Sequence, residues 1–318
     1  MEAALPAVLQ YPMRYIRRCS GAVAHPVLSI AHLVLAVILA LAAVSAAAQP
    51  TGSGSGAVLH IAGTYEGGDR EGACYWKDGA RTDFDGDHAR GIAVVDGDVY
   101  VAGWYTKGGP ENIAYTACYW KNGARTDLPG SFTNAGAMAV WGGDVYIAGS
   151  TDGDTTRKAC YWKNGTRTNL DGAAALGIAV AGGDLYVAGW YGEGSVEGSV
   201  YTACYWKNGA RTDLPPGAGG RYSCAVAIAV EDKDLYLAGW YLTGDDSTAQ
   251  ACYWNNGTVT DLPGLEESTA FAIVVLDGDV YAAGYYYDGS LGKACYWKNG
   301  ERTELGDGFA YAIVITGE

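Results

Sequence analysis

Histidine is scarce in this chain: four of 318 residues, with His60 and His88 the two beyond residue 48. The chain also lacks G-x-S-x-G, H-E-x-x-H and the phosphate-cradling glycine loop. The common hydrolase, zinc-protease and nucleotide sites are therefore without their residues. Basic residues are few as well, 21 Lys+Arg against 35 Asp+Glu, for a formal net charge of −14. A protein that grips a phosphate backbone needs the opposite balance, so no nucleic-acid partner is expected. Phe (4) and Met (3) are too few to fill a core, whereas Tyr (24) and Trp (10) are plentiful. Those rings pack on one side and hydrogen-bond on the other. Glycine, 47 of 318, is about twice its usual share and signals many turns.

The longest apolar run, Leu33 to Val44, is short for a bilayer-spanning helix. Arg14, Arg17 and Arg18 precede it, and Ala46-Ala47-Ala48 follows. A basic segment, an apolar segment and a small-residue site make an export signal. Residues 1–48 are expected to be removed, with no membrane span in the mature chain. The product is then secreted, periplasmic or at the cell surface. It keeps 18 basic and 34 acidic residues, after a flexible leader at 49–57.

The rest of the chain repeats one unit. A-C-Y-W-[KN]-[ND]-G begins at Ala73, Ala117, Ala159, Ala203, Ala251 and Ala294, with the Cys residues 44, 42, 44, 48 and 43 apart. Between copies runs a second phrase, GIAVVDGDVYVAGWY at 91–105, recurring at 137–151, 177–191, 227–241 and 272–286. Each unit reads as four strands. Strand a is rich in Ala, Ile and Val, and a two-residue turn leads to strand b. A longer loop leads to strand c, and Asn-Gly turns it into strand d. Four antiparallel strands per 40–50 residues is a propeller blade. The fold class is all-β, a six-bladed β-propeller over 58–318. Five blades run at about 89–128, 135–170, 175–214, 225–262 and 270–305. The sixth combines b-c-d at 58–84 with strand a at 310–315, closing the ring and leaving no sheet edge open.

Side chains alternate across a strand. Around Asn122-Gly123, Trp120 therefore faces Arg125, and Cys118 and Asp127 share their side of the hairpin. The copies are Trp76 and Arg81, Trp162 and Arg167, Trp206 and Arg211, and Trp297 and Arg302; Trp254 faces Val259 instead. These residues are expected to pack blade on blade, with Arg over Trp as a cation–π pair. The alanines of strand a (89, 135, 175, 225, 270, 310) suit crowded inner strands. Six of the seven remaining cysteines recur at one site, too far apart between blades for disulfides, and none has zinc-site companions. They read as buried free thiols, with Cys224 the odd one.

Function is expected on the end bearing the long b–c and d–a loops, which differ between copies. Strand b ends there with Trp104-Tyr105, Trp190-Tyr191, Trp240-Tyr241 and Tyr285-Tyr286. With His88 and Arg90 these are the candidate ligand-binding residues; no catalytic or metal-binding residue is assigned. Acidic residues surround them: Asp85, Asp87, Asp152, Asp154, Glu193, Asp245, Asp246, Glu266 and Glu267. Asp83-x-Asp85-x-Asp87 begins like a calcium loop, but His88 and Val94 stand where glycine and the last carboxylate belong. It reads as a solvated turn, so calcium is a remote alternative and no cofactor is expected.

The phrase A-C-Y-W-K-N-G-x-R-T-D-L-P-G, followed by A-x-A-I-A-V-x-G-G-D-V-Y-V-A-G, resembles the exported HAF-type repeats and, more distantly, kelch-like units. The resemblance covers 58–315. It implies a propeller scaffold and export, and carries no catalytic residues with it. The expected function is a monomeric, non-catalytic binding scaffold for a glycan or protein. The alternatives are a divalent-cation-dependent hydrolase or lactonase with carboxylates at the channel mouth, and a purely structural surface protein.

Overall fold

A computed structural model describes residues 60–313 and 315, apart from 68–69, 78–79, 109–113, 131–132, 153–156, 194–199, 218–219, 221, 245–247, 265–266 and 290. The expected export signal (1–48) and leader (49–57) lie outside the described residues. Every regular element described is a strand. The first sheet holds β1 (His60–Gly67), β2 (Arg70–Lys77) and β3 (Ala80–Asp83). The second holds β4 (His88–Val95), β5 (Asp98–Lys107), β6 (Ala114–Lys121) and β7 (Ala124–Asp127). The third holds β8 (Asn134–Trp141), β9 (Asp144–Asp152), β10 (Arg157–Lys163) and β11 (Thr166–Asn169). The fourth holds β12 (Ala174–Ala181), β13 (Asp184–Glu193), β14 (Val200–Lys207) and β15 (Ala210–Asp213). The fifth holds β16 (Ser223–Glu231), β17 (Asp234–Leu242), β18 (Ala249–Asn255) and β19 (Thr258–Asp261). The sixth holds β20 (Ser268–Leu276), β21 (Asp279–Asp288), β22 (Leu291–Lys298) and β23 (Glu301–Asp307). Strands follow chain order within each sheet and pair antiparallel.

The tight turns have the expected chemistry. Asn122 and Gly123 (φ 50° and 85°), Asn164 and Gly165, and Asp96 and Gly97 all take positive φ, as a twisted two-residue hairpin requires. Asn does a second job. Asn122 Oδ1 accepts the Val99 N–H at 2.9 Å, and its amide donates to Asp98 at 2.7 Å. Lys121 adds an ion pair to Asp98 at 2.8 Å. The same lacing of strand c to strand b recurs at Lys163-Asn164 with Asp144, Lys207-Asn208 with Asp184, and Lys298-Asn299 with Asp279. In the fifth sheet Asn255 replaces the lysine, and Asn256 alone reaches Asp234.

Each sheet packs face to face on the next. The Ala117 and Leu128 face of the second meets Met138, Ile147 and Trp162 of the third in one cluster. Equivalent clusters join the first to the second, third to fourth, fourth to fifth and fifth to sixth. The first strands β4, β8, β12, β16 and β20 lie beside one another in succession. This is β-propeller architecture. At every interface a tryptophan of the later sheet is closed over: Trp120, Trp162, Trp206, Trp254 and Trp297 are 0% exposed. Their partners include Leu128, Leu170, Leu214 and Leu262 of the earlier sheet.

The junctions come in two kinds. After β7, β15 and β19 a proline follows the leucine, and its carbonyl accepts the next sheet's indole N–H: Trp162 to Pro129 at 3.1 Å, Trp254 to Pro215 at 2.7 Å, Trp297 to Pro263 at 3.0 Å. There a buried hydroxyl of Thr133, Ser223 or Ser268 accepts the backbone N–H of Ala117, Ala203 or Ala251. After β3 and β11 the residue is Asp85 or Asp171. Gly86 and Gly172 carbonyls then accept the backbone N–H of Ala73 and Ala159. The indoles of Trp120 and Trp206 are left without partners, and Arg125 and Arg211 instead pair with Asp85 and Asp171.

Of the closing strand expected at 310–315, residues 310–313 and 315 are not strand, and 314 lies outside the described residues. Ala310 N–H donates to Gly284 O of β21 at 3.1 Å, and Tyr311 lies against Phe271 of β20. Ala310 and Tyr311 thus rest on the sixth sheet. Leu305 is 60% exposed, although its counterparts Leu128, Leu170, Leu214 and Leu262 are buried; Ile61 of the first sheet is 44% exposed.

Candidate functional site at the loop end

Strand b places consecutive aromatics on opposite faces, so each Trp-Tyr pair divides. The second member is fixed within its own sheet. The Arg125 guanidinium lies 4.0 Å from the Tyr105 ring centre, and the Tyr105 hydroxyl donates to Asp127 at 2.7 Å. Arg211 covers Tyr191 at 3.8 Å and Arg302 covers Tyr286 at 3.8 Å, with those hydroxyls donating to Asp213 and Glu304. Tyr241 donates to Asp261 at 3.0 Å without an arginine, because Val259 stands there. In the first sheet Arg81 covers Tyr65.

This corrects the expected Arg-over-Trp pair. Trp120 and Arg125 are opposite one another as expected, but the indole leaves the guanidinium and folds inward. The analogous Trp76 and Trp162 rings come within 3.0 and 2.9 Å of the position a Cβ on Gly63 and Gly149 would take. Those strand-b glycines have a second reason. A Cβ on Gly103 would stand 1.9 Å from the His88 carbonyl. Any side chain there would push the first two strands apart. Trp76 is half-buried, the other five repeat tryptophans fully so.

The first members of the pairs gather differently. Trp190, Trp240 and Tyr285 join a cluster with Cys224, Val226, Phe271, Leu176, Tyr287 and Tyr311. Trp190 meets Tyr201 edge-on at 4.7 Å, and Tyr285 meets Phe309 at 4.8 Å. Trp190 and Trp240 are half-buried, and the Trp240 indole N–H has no partner. In the second sheet Trp104 has His88 at 4.7 Å and the Arg90 guanidinium at 4.5 Å. His88 Nδ1 also sits 3.2 Å from the Thr64 hydroxyl of the first sheet. Tyr285 donates to Glu267 at 3.3 Å, and burial raises that carboxyl's pKa.

Sequence reasoning missed a bulge in the first strand of five sheets. The register slips between Ala89 and Gly91, Ala135 and Ala137, Ala175 and Gly177, Ala225 and Ala227, and Ala270 and Ala272. The extra residue is unpaired and turned out of the ladder. Arg90 is one of these residues. It is 3% exposed, its Nε and Nη2 have no hydrogen-bond partner, and burial lowers its pKa to about 9. It therefore stays charged at neutral pH.

Among the described residues the acidic side chains do not converge. Asp83 pairs with Arg81, Asp85 with Arg125, and Asp87 accepts from Thr106. Among the described residues no three His, Cys, Asp or Glu side chains are grouped to hold a metal ion. Asp154, Asp245, Asp246 and Glu266 lie outside the described residues, as do the side chains of Asp152 and Glu193. The seven described cysteines are free and buried, and burial pushes the thiols up, that of Cys74 to about 11. Buried protonated thiols are poor nucleophiles at neutral pH. Among the described residues no helix is long and apolar enough to cross a membrane.

No protein-family model matches the chain, and no curated protein matches it. Solved structures with a similar course include the β-propeller domain of the Trilobed protease from Pyrococcus furiosus. It is 11% identical, with a TM-score of 0.49, over 80% of this chain and 83% of that one. TolB from Acinetobacter baumannii is 12% identical, with a TM-score of 0.45, over 80% and 66%. Pyrococcus horikoshii acylaminoacyl peptidase is 11% identical, with a TM-score of 0.45, over 78% and 43%. The propeller assignment for this chain rests on its own sheet order and face-to-face packing.

Proposed function

We propose that this chain is an exported, non-catalytic binding scaffold of the HAF-type or kelch-like repeat kind, taking a glycan at its loop end. The observation that carries the reading is the aromatic cluster there, with half-buried Trp190 and Trp240 and an unused indole N–H. Such rings stack on the apolar faces of sugars, and unused donors meet hydroxyl oxygens. In this reading the propeller has six blades. Residues 310–315 run beside β1 as the missing inner strand, bringing Leu305 over Trp76 and Ile61. Support comes from the exposure of Leu305 and Ile61, whose counterparts are covered in other sheets, and from Ala310 already resting on Gly284.

The test applies the purified chain to an immobilised panel of neutral and acidic oligosaccharides. Binding is expected to survive Lys207→Ala at the tight-turn end and to fall at least tenfold in Trp190→Ala. Native-like melting of both variants validates the comparison. Retention of no glycan by the native chain would overturn the reading, as would loss in Lys207→Ala alone.

A further inference from the structure

The bulge residues form a file of their own. Val226 and Phe271 share one cluster, Leu176 packs against it, and the Phe271 and Tyr311 rings are 5.1 Å apart. Residues from successive sheets therefore meet at one place, on the innermost strands. The register gives Arg90 and Gly136 the same positions in the second and third sheets. One sheet thus offers a guanidinium where others offer Leu, Val and Phe, and its neighbour offers no side chain at all.

An unpaired buried charge is costly, and proteins ordinarily pair or remove it. Arg90 has neither remedy: its Nε and Nη2 are buried without acceptors, and its one described contact is the Trp104 face. Folding alone does not explain it, because Leu176 and Val226 fill the equivalent position without a charge. A second unused donor, the Trp240 indole N–H, lies with Leu176, Val226 and Phe271 of the fourth to sixth sheets. Two buried donors without acceptors call for a ligand rich in oxygen with a negative group. The formal charge of −14 works against a long, dense polyanion and leaves a short ligand with at most one carboxylate per sugar.

We infer that Arg90 is the carboxylate-binding residue of the loop-end site, and that the glycan it takes carries a uronic acid. This rests on the binding reading above. The guanidinium fork meets the two carboxylate oxygens as a charge-assisted pair. The half-buried rings of Trp190 and Trp240 offer apolar faces to the sugar body.

Titration calorimetry with trigalacturonate and with neutral galactotriose tests it, on the native chain and on Arg90→Leu. The substitution puts in the side chain that Leu176 already supplies in another sheet. The variant is therefore expected to melt at or above the native temperature. Trigalacturonate should bind the native chain at least tenfold more tightly than galactotriose, and Arg90→Leu should erase the difference. Arg90→Lys, a point charge without the fork, should recover part of it. Equal affinity for the two sugars in the native chain would overturn the uronate assignment and leave the glycan reading standing. An undiminished preference in Arg90→Leu would overturn the role of Arg90. Binding of neither sugar, with none retained on the glycan panel, would overturn both.

Discussion

At the scale of single residues, five of the six repeat tryptophans have equal burial and unequal bonding. Trp162 donates to Pro129, whereas Trp120 sits in the same kind of pocket with its N–H unused. Replacing each with Phe removes similar area from the two interfaces but only one hydrogen bond. Trp162→Phe should therefore cost more than Trp120→Phe by about 1 kcal/mol, the net worth of a typical internal hydrogen bond. Urea unfolding midpoints of the two variants check this, and equal losses would contradict the junction chemistry. The facing of Trp120 and Arg125 was legible in the sequence because a two-residue Asn-Gly turn sets the register of β6 on β7. The ring beneath the guanidinium was not. Tyr105 lies on β5, whose register against β6 is set across a loop of varying length.

At the scale of the strand pair, the Lys-Asn-Gly turn and the Asp-x-Tyr start of strand b act together. Hydrogen bonds from Lys121 and Asn122 hold the Asp98 carboxyl below its ordinary pKa, and Asp144, Asp184 and Asp279 are held down in the same way. A carboxylate with a depressed folded pKa adds stability above its unfolded pKa of about 3.9. That contribution is lost as pH falls through the lower folded value. Melting temperature should thus drop between pH 5 and pH 2. The drop should be shallower in a variant with all four aspartates changed to asparagine. An unchanged slope would remove these pairs from the account. The turn residues were plain in the sequence, but their lacing to strand b was not, since the partners are about twenty residues apart. The bulge that sets Arg90 aside was also hidden. Arg, Gly, Leu, Val and Phe occupy it in turn, so no residue type marks the position.

At the scale of the whole molecule, the described sheets pack chiefly on their nearest neighbours, and stability in such arrays is roughly a sum of units and interfaces. The first and last sheets each leave apolar side chains uncovered, Ile61 on one and Leu305 on the other. Covering a leucine is worth roughly 1.5–3 kcal/mol. Each kcal/mol shifts Tm by about 2–4 °C in a domain of this size. Deleting 308–318 should therefore lower Tm by at least about 5 °C and speed amide exchange in β1. A truncated chain that melts and exchanges like the native one would exclude a closed ring. The sheet boundaries and chain order were legible because one phrase recurs six times. The two kinds of junction were not, since a Pro-for-Asp exchange in a loop changes hydrogen-bond traffic without changing the repeat.

The packing of the tryptophans runs in one direction along the chain. Each of the five fully buried indoles enters a pocket formed by the sheet made before it, so a chain emerging N-terminus first always offers a finished seat to the next arrival. Among the described residues Trp76 is the repeat tryptophan left half-buried. In the closed ring proposed above, the first sheet would be the last to be sheltered, and a chain halted before residues 310–315 would leave Trp76 only half-covered.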